Sequence, residues 1–326
     1  MIAFFDLISS EHNDQLENEF KTEGFYGSYN EFSLDSDYPF DEIEILSLRE
    51  YSKITPLELD KLPKLKAIAL RITGFDNVDL DECTKRGIVV MNVPEYGSHT
   101  VAEYAFTHIL NLTRKFSFTL DNIAKVPLKR TDISGCDLFG KTLGIIGTGR
   151  IGSNSAKIGL GFGMKIIAYD VIENEELIKL GVTYLSLNEV LGQSDVISIH
   201  VPLLPTTKSL LNLGNIQMIK KGAFLVNTSR GEVVDNDALI QAMDQGILAG
   251  ASIDVFKGER DLTLPLEKNK LPNITPESEY EKLIASGIIV TPHNSFNSIE
   301  ANQRIIRTTI DNIRSFMQNA PINKVN

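Results

Sequence analysis

Residues 143–152 read LGIIGTGRIG, a short apolar run that passes directly into glycines with the spacing G-x-G-x-x-G. The run predicts a buried β-strand, and Gly147, Gly149 and Gly152 predict a tight turn that opens a helix. The first glycine permits the turn, the second lets the backbone approach a pyrophosphate, and the third allows close helix packing. Because a helix N-terminus presents free N–H groups to an anion, the stretch predicts a dinucleotide-binding turn in the middle of the chain.

An acid at the end of the next predicted strand favours NAD over NADP as the cofactor. Residues 165–169 form that strand, and Asp170 follows it, 18 residues after Gly152. A carboxylate at this place accepts hydrogen bonds from ribose hydroxyls and repels a 2′-phosphate. Residues 171–173 (VIE) supply no cation that would offset the repulsion. The alternative interpretation is a plain glycine-rich turn with Asp170 as a helix cap.

Similar apolar runs recur along the chain and predict its fold class, which is α/β. In the second part of the chain they occupy residues 143–147, 165–169, 195–199, 223–227, 249–253 and 287–291. In the first hundred residues they occupy residues 2–5, 43–46, 66–70 and 87–90. The later runs lack polar alternation, which is typical of parallel strands covered by helices on both faces. We therefore expect one doubly wound parallel sheet, preceded by a smaller α/β domain.

Residues 93–98 (VPEYGS) are punctuated by proline and glycine, and we place the domain boundary there. Ser98 is predicted to cap a helix that runs from about residue 100 to residue 118. Residues 299–317 form an amphipathic pattern beyond the six predicted strands, and we expect this helix to return to the first domain. The predicted substrate domain is thus 1–98 plus 297–326, and the predicted NAD domain is 99–296.

Composition excludes several classes of protein. The chain has 32 Lys and Arg against 43 Asp and Glu, a net charge of −11 without a basic run, so a nucleic-acid partner is not expected. Cys83 and Cys136 are too few for a disulfide framework or a cysteine zinc site, and we expect no metal and a reducing compartment. Since no apolar stretch approaches about 18 residues, we expect a cytoplasmic protein without a membrane partner.

Three polar residues follow three successive predicted strands, and together they suit the reduction of a carbonyl group. His293 follows residues 287–291 and could donate a proton, whereas Arg230 follows residues 223–227 and could hold an anionic substrate. Glu259 follows the next strand and could favour the protonated imidazole of His293. Taken singly, these residues could instead be a helix cap, a salt bridge and a solvent-exposed acid. His12 is expected at the surface, and His99 and His108 are expected to serve packing or an interface.

These motifs together resemble the D-isomer-specific 2-hydroxyacid dehydrogenase family. The resemblance rests on residues 143–152, 195–202 (DVISIHVP), 224–231 (FLVNTSRG) and 291–293 (TPH), with Asp254 and Glu259 between them. It implies a Rossmann-like NAD domain inserted into a smaller flavodoxin-like substrate domain, a cleft that closes on substrate, and a homodimer formed through the NAD domains. It also implies that Arg230 anchors the substrate, that His293 is the acid or base, and that Glu259 is its partner.

The resemblance extends to binding residues. The residues that it assigns to the cofactor are Gly147, Gly149, Arg150, Ile151, Gly152, Asp170, His200, Val201, Pro202, Thr207, Thr228, Ser229, Arg230, Asp254 and His293. The residues that it assigns to the substrate are Arg71, Ile72, Thr73, Gly74, Tyr96 and Arg230. Residues 92–96 (NVPEY), residues 69–74 (ALRITG) and the 34-residue interval from Glu259 to His293 most resemble the D-lactate dehydrogenase branch.

The expected function is therefore the NAD-dependent interconversion of a 2-oxo acid and a D-2-hydroxy acid, with pyruvate and D-lactate as the leading pair. Residues 294–296 (NSF) depart from the small apolar residues that are more usual after the histidine, which leaves the substrate open. The alternatives are a bulkier 2-oxo acid, hydroxypyruvate or glyoxylate. A formate or phosphite dehydrogenase and a nucleotide-sensing, corepressor-like binding protein of the same fold are further alternatives, although formate enzymes carry glutamine where Glu259 stands.

Overall fold

The computed structural model describes residues 1–34, 38, 40–267 and 270–326. It contains two compact units. Unit 1 consists mainly of Met1–Tyr96 and Ser298–Asn326, and unit 2 of Gly97–Leu266 and Leu271–Asn297. Both ends of the chain therefore belong to unit 1. Among the described residues, no helix combines the length and the apolarity needed to cross a bilayer.

Unit 1 contains a parallel sheet with helices in the crossovers. Its elements up to residue 91 are β1 (Ile2–Phe4), α1 (Ser10–Phe20), β2 (Phe25–Gly27), β3 (Ile45–Leu48), α2 (Pro56–Asp60), β4 (Ala67–Leu70), α3 (Leu80–Lys85) and β5 (Val89–Met91). Within the described ranges the strand order is β2-β1-β3-β4-β5, and every neighbouring pair is parallel. This is the flavodoxin-like order, so the predicted fold of the smaller domain is confirmed.

Unit 2 is built around a larger parallel sheet. Its elements are α4 (Ser98–Arg114), α5 (Phe116–Asn122), β6 (Thr142–Ile146), α6 (Arg150–Gly161), β7 (Lys165–Tyr169), α7 (Glu175–Lys179), β8 (Thr183–Tyr184), α8 (Leu187–Gln193), β9 (Val196–Ile199), β10 (Ala223–Asn227), α9 (Asn236–Asp244), β11 (Leu248–Ile253), α10 (Arg260–Glu267), α11 (Glu279–Ala285) and β12 (Ile289–Val290). The strand order over the described residues is β12-β11-β10-β9-β6-β7-β8. The order reverses between β6 and β9, as in Rossmann-like sheets, where ligands bind at that switch point. The predicted doubly wound fold is confirmed.

Both faces of the sheet in unit 2 are covered, which explains the unbroken apolar runs in the sequence. Leu225 and Val226, which are neighbours on β10, enter two different hydrophobic clusters. The first cluster includes Leu239 of α9, and the second includes Ile109 of α4 and Ala156 of α6. Because successive side chains of a strand point to opposite faces, a strand between two helical layers has no polar side.

The last helix, α12 (Ile299–Met317), packs within unit 1. Asn312 of this helix is fully buried, and its side-chain amide donates to the carbonyl oxygen of Asn92 (2.8 Å). The side chain of Asn326 accepts from Val90 N (2.9 Å) and donates to Ile88 O (2.8 Å). The edge of unit 1 at β5 is therefore completed by residues from the far end of the chain.

The structure corrects four details of the secondary-structure prediction. Strands β2 and β8 were not predicted, because runs of three and two residues carry too little pattern to detect. The strand predicted at residues 43–46 lies two residues later, at β3. Ser98 is the first residue of α4 rather than its cap, since Gly97 holds the N-cap position. The predicted helix to residue 118 is broken at Lys115, whose φ of 51° lies in the left-handed region.

Candidate active site

The glycine turn lies between β6 and α6, where its three glycines meet different constraints. Gly147 has a φ of 94°, and a Cβ there would lie 2.8 Å from the carbonyl carbon of His200. A Cβ on Gly152 would lie 1.8 Å from the carbonyl oxygen of Gly147, so a side chain cannot fit without moving the backbone. Gly149 is the N-cap of α6, and no atom lies within 4 Å of its hypothetical Cβ. The turn is thus closely packed on its inner side and open beside Gly149.

Asp170 follows β7 and is held against this turn. The backbone N–H and the hydroxyl of Thr148 both donate to Asp170 Oδ2 (2.5 and 3.1 Å). The hydroxyl of Tyr184 donates in turn to Thr148 Oγ1 (2.9 Å). Val171 and Ile172 beyond it are 89% and 77% exposed, so the chain next to the carboxylate is open to a ligand. Sequence reasoning missed Thr148 and Tyr184 as the residues that orient Asp170.

His200 and Thr228 lie at strand ends of the same sheet, and each has a buried polar atom that makes no hydrogen bond to a described residue. His200 follows β9, and its backbone N–H donates to Ile146 O (2.7 Å) at the end of β6. Its Nε2 lies 2.8 Å from Ser198 Oγ, and burial lowers its pKa to about 3, so the ring is neutral. Within the described ranges, His200 Nδ1 and Thr228 Oγ1 are buried without a hydrogen-bond partner. Such atoms are normally satisfied, and a bound polar ligand would do so.

The other residues assigned to the cofactor occupy the adjoining turns. Arg150 and Ile151 begin α6, and Val201 and Pro202 follow His200. The hydroxyl of Thr207 donates to Pro202 O (2.5 Å) and accepts from Leu204 N (2.8 Å), which closes the loop after β9. The hydroxyl of Ser229 donates to Asn227 Oδ1 (2.7 Å). The open glycine, the helix N-terminus, the acid and the two orphaned atoms together fit a dinucleotide.

The three candidate catalytic residues follow three neighbouring strands of one sheet. Arg230 follows β10, Glu259 follows β11 and His293 follows β12. Because these strands are parallel, their carboxyl ends lie at the same edge of the sheet. Arg230 is half-buried, its Nη1 donates to Ser229 O (2.8 Å), and over the described chain no carboxylate lies within ion-pair distance of its guanidinium. Its positive charge is therefore not neutralised by a described acid.

His293 and Glu259 form a direct pair. His293 Nδ1 lies 2.7 Å from Glu259 Oε1, and the two side chains are 21% and 24% exposed. The other carboxylate oxygen of Glu259 accepts from Phe256 N (2.9 Å), which fixes its orientation. An ionised carboxylate can only accept, so Nδ1 carries the hydrogen in this bond. The remaining ring nitrogen, Nε2, is therefore the one that can exchange a proton with a substrate.

The backbone of His293 adopts an unusual conformation that Asp254 supports. The φ of His293 is 52°, in the left-handed region that disfavours residues other than glycine. The N–H of His293 donates to Asp254 O (2.9 Å) and to Thr291 O (3.1 Å). The carboxylate of Asp254 is fully buried and accepts from the N–H groups of Asn294 (2.9 Å) and Ser295 (2.7 Å). Sequence reasoning assigned Asp254 to the cofactor and missed this anchoring of the loop.

The residues predicted to bind substrate in the first part of the chain lie in unit 1. Arg71 is only 2% exposed, its side chain donates to Ser47 Oγ and to the carbonyl oxygens of Phe5 and Asp6, and its backbone N–H donates to Leu48 O. Burial lowers the pKa of its guanidinium to about 10. These contacts hold strand ends together. The predicted role of residues 69–74 rests on their backbone amides rather than on this guanidinium, and the assignment of Arg71 to the substrate stays a prediction.

The other residues assigned to the substrate in unit 1 are Ile72, Thr73, Gly74 and Tyr96. Ile72 and Gly74 flank Thr73, whose hydroxyl donates to Val93 O (2.9 Å). Tyr96 is half-buried, and its carbonyl oxygen accepts from Arg304 Nε (2.6 Å). Among the described residues, no group of three or more His, Cys, Asp and Glu side chains is placed to hold a metal ion.

Comparison with known proteins adds independent evidence. Residues 106–295 match the model of the D-isomer specific 2-hydroxyacid dehydrogenase NAD binding domain. The chain is 35% identical to the D-lactate dehydrogenase of Escherichia coli over 258 residues, which covers 78% of each protein. It is 37% identical to the glyoxylate reductase of Korarchaeum cryptofilum over 270 residues, 81% of this chain and 77% of that relative.

A solved relative has the same fold. The D-lactate dehydrogenase of Aquifex aeolicus, solved with NAD and lactic acid, superposes with a TM-score of 0.88 at 33% identity, over 98% of this chain and 96% of that one. The predicted family resemblance and the predicted NAD cofactor are both confirmed by these matches.

Three glycine variants should separate folding from cofactor binding. Gly149→Ala adds a Cβ into open space, so we expect an unchanged melting temperature but roughly tenfold weaker NADH binding, because the pyrophosphate needs that space. Gly152→Ala places a Cβ against the backbone of Gly147, and we expect it to destabilise the fold by about 3 kcal/mol. The matched control is Gly161→Ala in the same helix, where no atom lies within 4 Å and neither property should change.

The readouts are thermal unfolding and titration of NADH fluorescence. Wild-type NADH affinity in Gly149→Ala would contradict the placement of the cofactor at this turn.

Proposed function

Because this chain belongs to the D-isomer-specific 2-hydroxyacid dehydrogenase family, we propose that it interconverts pyruvate and D-lactate with NAD(H). The observation that carries the proposal is the pair of His293 and Glu259, 2.7 Å apart, at the sheet edge that also holds the glycine turn. The choice of pyruvate is supported by residues 92–96 and 69–74, which resemble the D-lactate branch, and by the lactic acid in the solved relative.

His293 supplies the proton in this mechanism. Reduction turns the carbonyl oxygen of the 2-oxo acid into a hydroxyl, and His293 Nε2 donates the proton that this oxygen needs. In the reverse direction the neutral imidazole removes the proton from the hydroxyl. Glu259 keeps Nδ1–H oriented and favours the protonated ring, so that the acid form is present when pyruvate is bound. The proton lost by His293 is regained from solvent after each turnover.

Arg230 holds the substrate. Its planar guanidinium can donate two parallel hydrogen bonds to a carboxylate and a further one to the adjacent carbonyl oxygen. The hydrogen bond from Arg230 Nη1 to Ser229 O leaves other N–H groups of the guanidinium for this purpose. Contact with the carbonyl oxygen also draws electron density from the carbonyl carbon and stabilises the negative charge that develops on oxygen.

The NAD site is proposed at the switch point of the sheet in unit 2. The N–H groups at the start of α6 would hold the pyrophosphate beside Gly149, and Asp170 would accept from the ribose hydroxyls. Thr228 Oγ1 and His200 Nδ1 provide further polar contacts at neighbouring strand ends. When bound, the nicotinamide supplies or accepts the hydride at the substrate carbon.

The substrate assignment is tested by a panel of 2-oxo acids. NADH oxidation should be measured with pyruvate, phenylpyruvate, hydroxypyruvate and glyoxylate, and the configuration of the product should be determined for the chiral products. We expect the highest kcat/KM with pyruvate and a D-lactate product. If another 2-oxo acid of the panel gave a higher kcat/KM, that acid would replace pyruvate as the proposed substrate. NADH binding without turnover of any member would favour a nucleotide-sensing binding protein instead.

Removing the imidazole should abolish most of the turnover and spare cofactor binding. In His293→Asn we expect kcat to fall by about 10² to 10⁴, because proton transfer by a positioned side chain contributes a factor of this size. The affinity for NADH should stay within about twofold. In Glu259→Gln we expect the pH at which reduction falls to half its maximum to move to lower pH, since the neutral amide no longer favours the imidazolium. Turnover that is unchanged in His293→Asn would contradict the role of His293.

We further propose that the chain forms a homodimer through unit 2. Phe116, Leu120 and Ile123 lie on one face at and just beyond α5, and they are 62%, 61% and 69% exposed. Large apolar side chains in a continuous stripe are uncommon on a monomer surface and suit a second copy of the same chain.

A reducing, cytoplasmic location is proposed as well, supported by the two free cysteines Cys83 and Cys136.

A charged residue in this stripe should dissociate the dimer. Leu120→Asp places a carboxylate in the apolar contact, so we expect the mass measured by light scattering after gel filtration to fall from two chains to one. The matched control is Leu57→Asp in α2, where the leucine is 66% exposed and the mass should not change. A wild-type chain that is monomeric at micromolar concentration would contradict this proposal.

A further inference from the structure

His108 is a buried histidine that the proposed mechanism does not use. It lies on α4 and is only 3% exposed. Its Nδ1 is hydrogen-bonded to Ser252 Oγ on β11, and its Nε2 lies 3.3 Å from Thr291 Oγ1, just after β12. The edge of the Tyr104 ring packs against the imidazole at 4.9 Å between ring centroids. His108 therefore links α4 to the two strands that precede Glu259 and His293.

The direction of each hydrogen bond in this series follows from its last acceptor, the carboxylate of Asp254. Thr291 Oγ1 lies 2.5 Å from Asp254 Oδ1, and a carboxylate can only accept, so the hydroxyl hydrogen of Thr291 points to Asp254. The oxygen of Thr291 must then accept from His108, which places a hydrogen on Nε2. In the neutral ring Nδ1 carries the lone pair and accepts from Ser252. The bonds thus run from Ser252 to His108, to Thr291 and to Asp254.

The environment of His108 agrees with this neutral tautomer. Burial lowers the pKa of His108, although the negative charge of Asp254 opposes that shift. Asp254 is fully buried, and its carboxylate accepts from the Thr291 hydroxyl and from the N–H groups of Asn294 and Ser295. Hydrogen bonds in such a chain polarise one another, so the donor from His108 strengthens the bond from Thr291 to Asp254.

This series of hydrogen bonds ends at the loop that carries His293. Asp254 holds the loop through its carboxylate, which binds Asn294 and Ser295, and through its carbonyl oxygen, which accepts from His293 N (2.9 Å). The left-handed conformation of His293 is unfavourable by itself and persists only because its surroundings impose it. That conformation accompanies the 2.7 Å contact between His293 and Glu259.

We propose that His108 is a positioning residue. Through the series of hydrogen bonds from Ser252 to His108, Thr291 and Asp254, it holds the His293 loop in place for proton transfer between His293 and the substrate. This inference rests on the proposed role of His293. An apolar side chain at position 108 could fill the same volume, but it would remove the donor to Thr291 and the acceptor for Ser252. The role of His108 therefore lies in the hydrogen bonds of its ring, above all in the donor Nε2–H to Thr291, rather than in its volume.

Two amide variants separate the two nitrogens. The side-chain amide of His108→Gln places a donor near the position of Nε2, whereas that of His108→Asn places an acceptor near Nδ1. We expect His108→Leu and His108→Asn to lower kcat by roughly tenfold and to move the upper pH limit of pyruvate reduction downwards. His108→Gln should stay within about twofold of wild type. KM for pyruvate and the affinity for NADH should change less than twofold in all three, and Thr107→Ala on the exposed side of α4 is the control.

The path through Thr291 has its own test. Thr291→Val removes the hydroxyl and should reproduce the effects of His108→Leu, whereas Thr291→Ser keeps the hydroxyl and should restore wild-type rates. In the double variant the two losses should not add, because both changes break the same chain. Equal kcat in His108→Leu and wild type, with the same pH profile, would overturn the proposal. Equal losses in His108→Gln and His108→Leu would also overturn it, since they would point to volume alone.

A measurement without turnover keeps this inference separate from the proposed function. Nitrogen NMR of histidine-labelled protein at pH 7 should find His108 neutral with its hydrogen on Nε2, and should find the bonded Nδ1–H of His293 in wild type and His108→Gln. That Nδ1–H signal should be lost or shifted in His108→Leu. A His108 hydrogen on Nδ1 would overturn the positioning chain even in an active enzyme. An absence of turnover with all four 2-oxo acids would instead overturn the proposed function. The NMR result alone would then decide whether the hydrogen bonds through His108 position the His293 loop.

Discussion

Among the described residues, every pairing between strands of the two sheets is parallel, and the arrangement of the candidate site depends on this constraint. Parallel strands need a crossover after each strand, so all the carboxyl ends of one sheet lie at one edge. In unit 2 the segments after β6, β9, β10, β11 and β12 are therefore brought together, although they span residues 147 to 293. A cofactor turn, a cation, an acid and an imidazole then need only short loops to reach one place.

A buried carboxylate, that of Asp254, supports the loop at that edge, and no described cation lies beside it. Asp254 is stabilised by two amide donors and one hydroxyl donor instead of an ion pair. Hydrogen bonds of this kind have fixed directions, so they fix the backbone as well as the charge. The result is that the strained residue His293 lies on a well-supported loop. The guanidinium of Arg230, by contrast, makes one hydrogen bond among the described residues, to Ser229 O, and has no described acid within ion-pair distance.

The sequence was sufficient for the elements with long local patterns and insufficient for contacts between distant segments. Apolar runs of four or five residues predicted most strands, and the glycine spacing predicted the turn before α6. Strand β8 has two residues and left no periodic signal, and Lys115 in a left-handed conformation has no sequence marker comparable to glycine. The pattern of residues 69–74 could not show that the guanidinium of Arg71 donates to Phe5 O and Asp6 O, because these carbonyl groups lie 66 and 65 residues away along the chain. The prediction for His108 was packing or an interface. Its contacts with Ser252 and Thr291, 144 and 183 residues away, leave no local pattern in the sequence.

The return of the last residues to unit 1 has a consequence for the order in which the chain matures on the ribosome. Asn326 bonds to Val90 across 236 residues, and α12 supplies Asn312 to the carbonyl oxygen of Asn92. Translation therefore finishes unit 2 at about residue 297, while unit 1 still lacks its last helix and the cover of its β5 edge. Until residues 298–326 have been made, the nascent chain exposes the uncovered β5 edge of unit 1, and chaperones or premature association would meet this edge first.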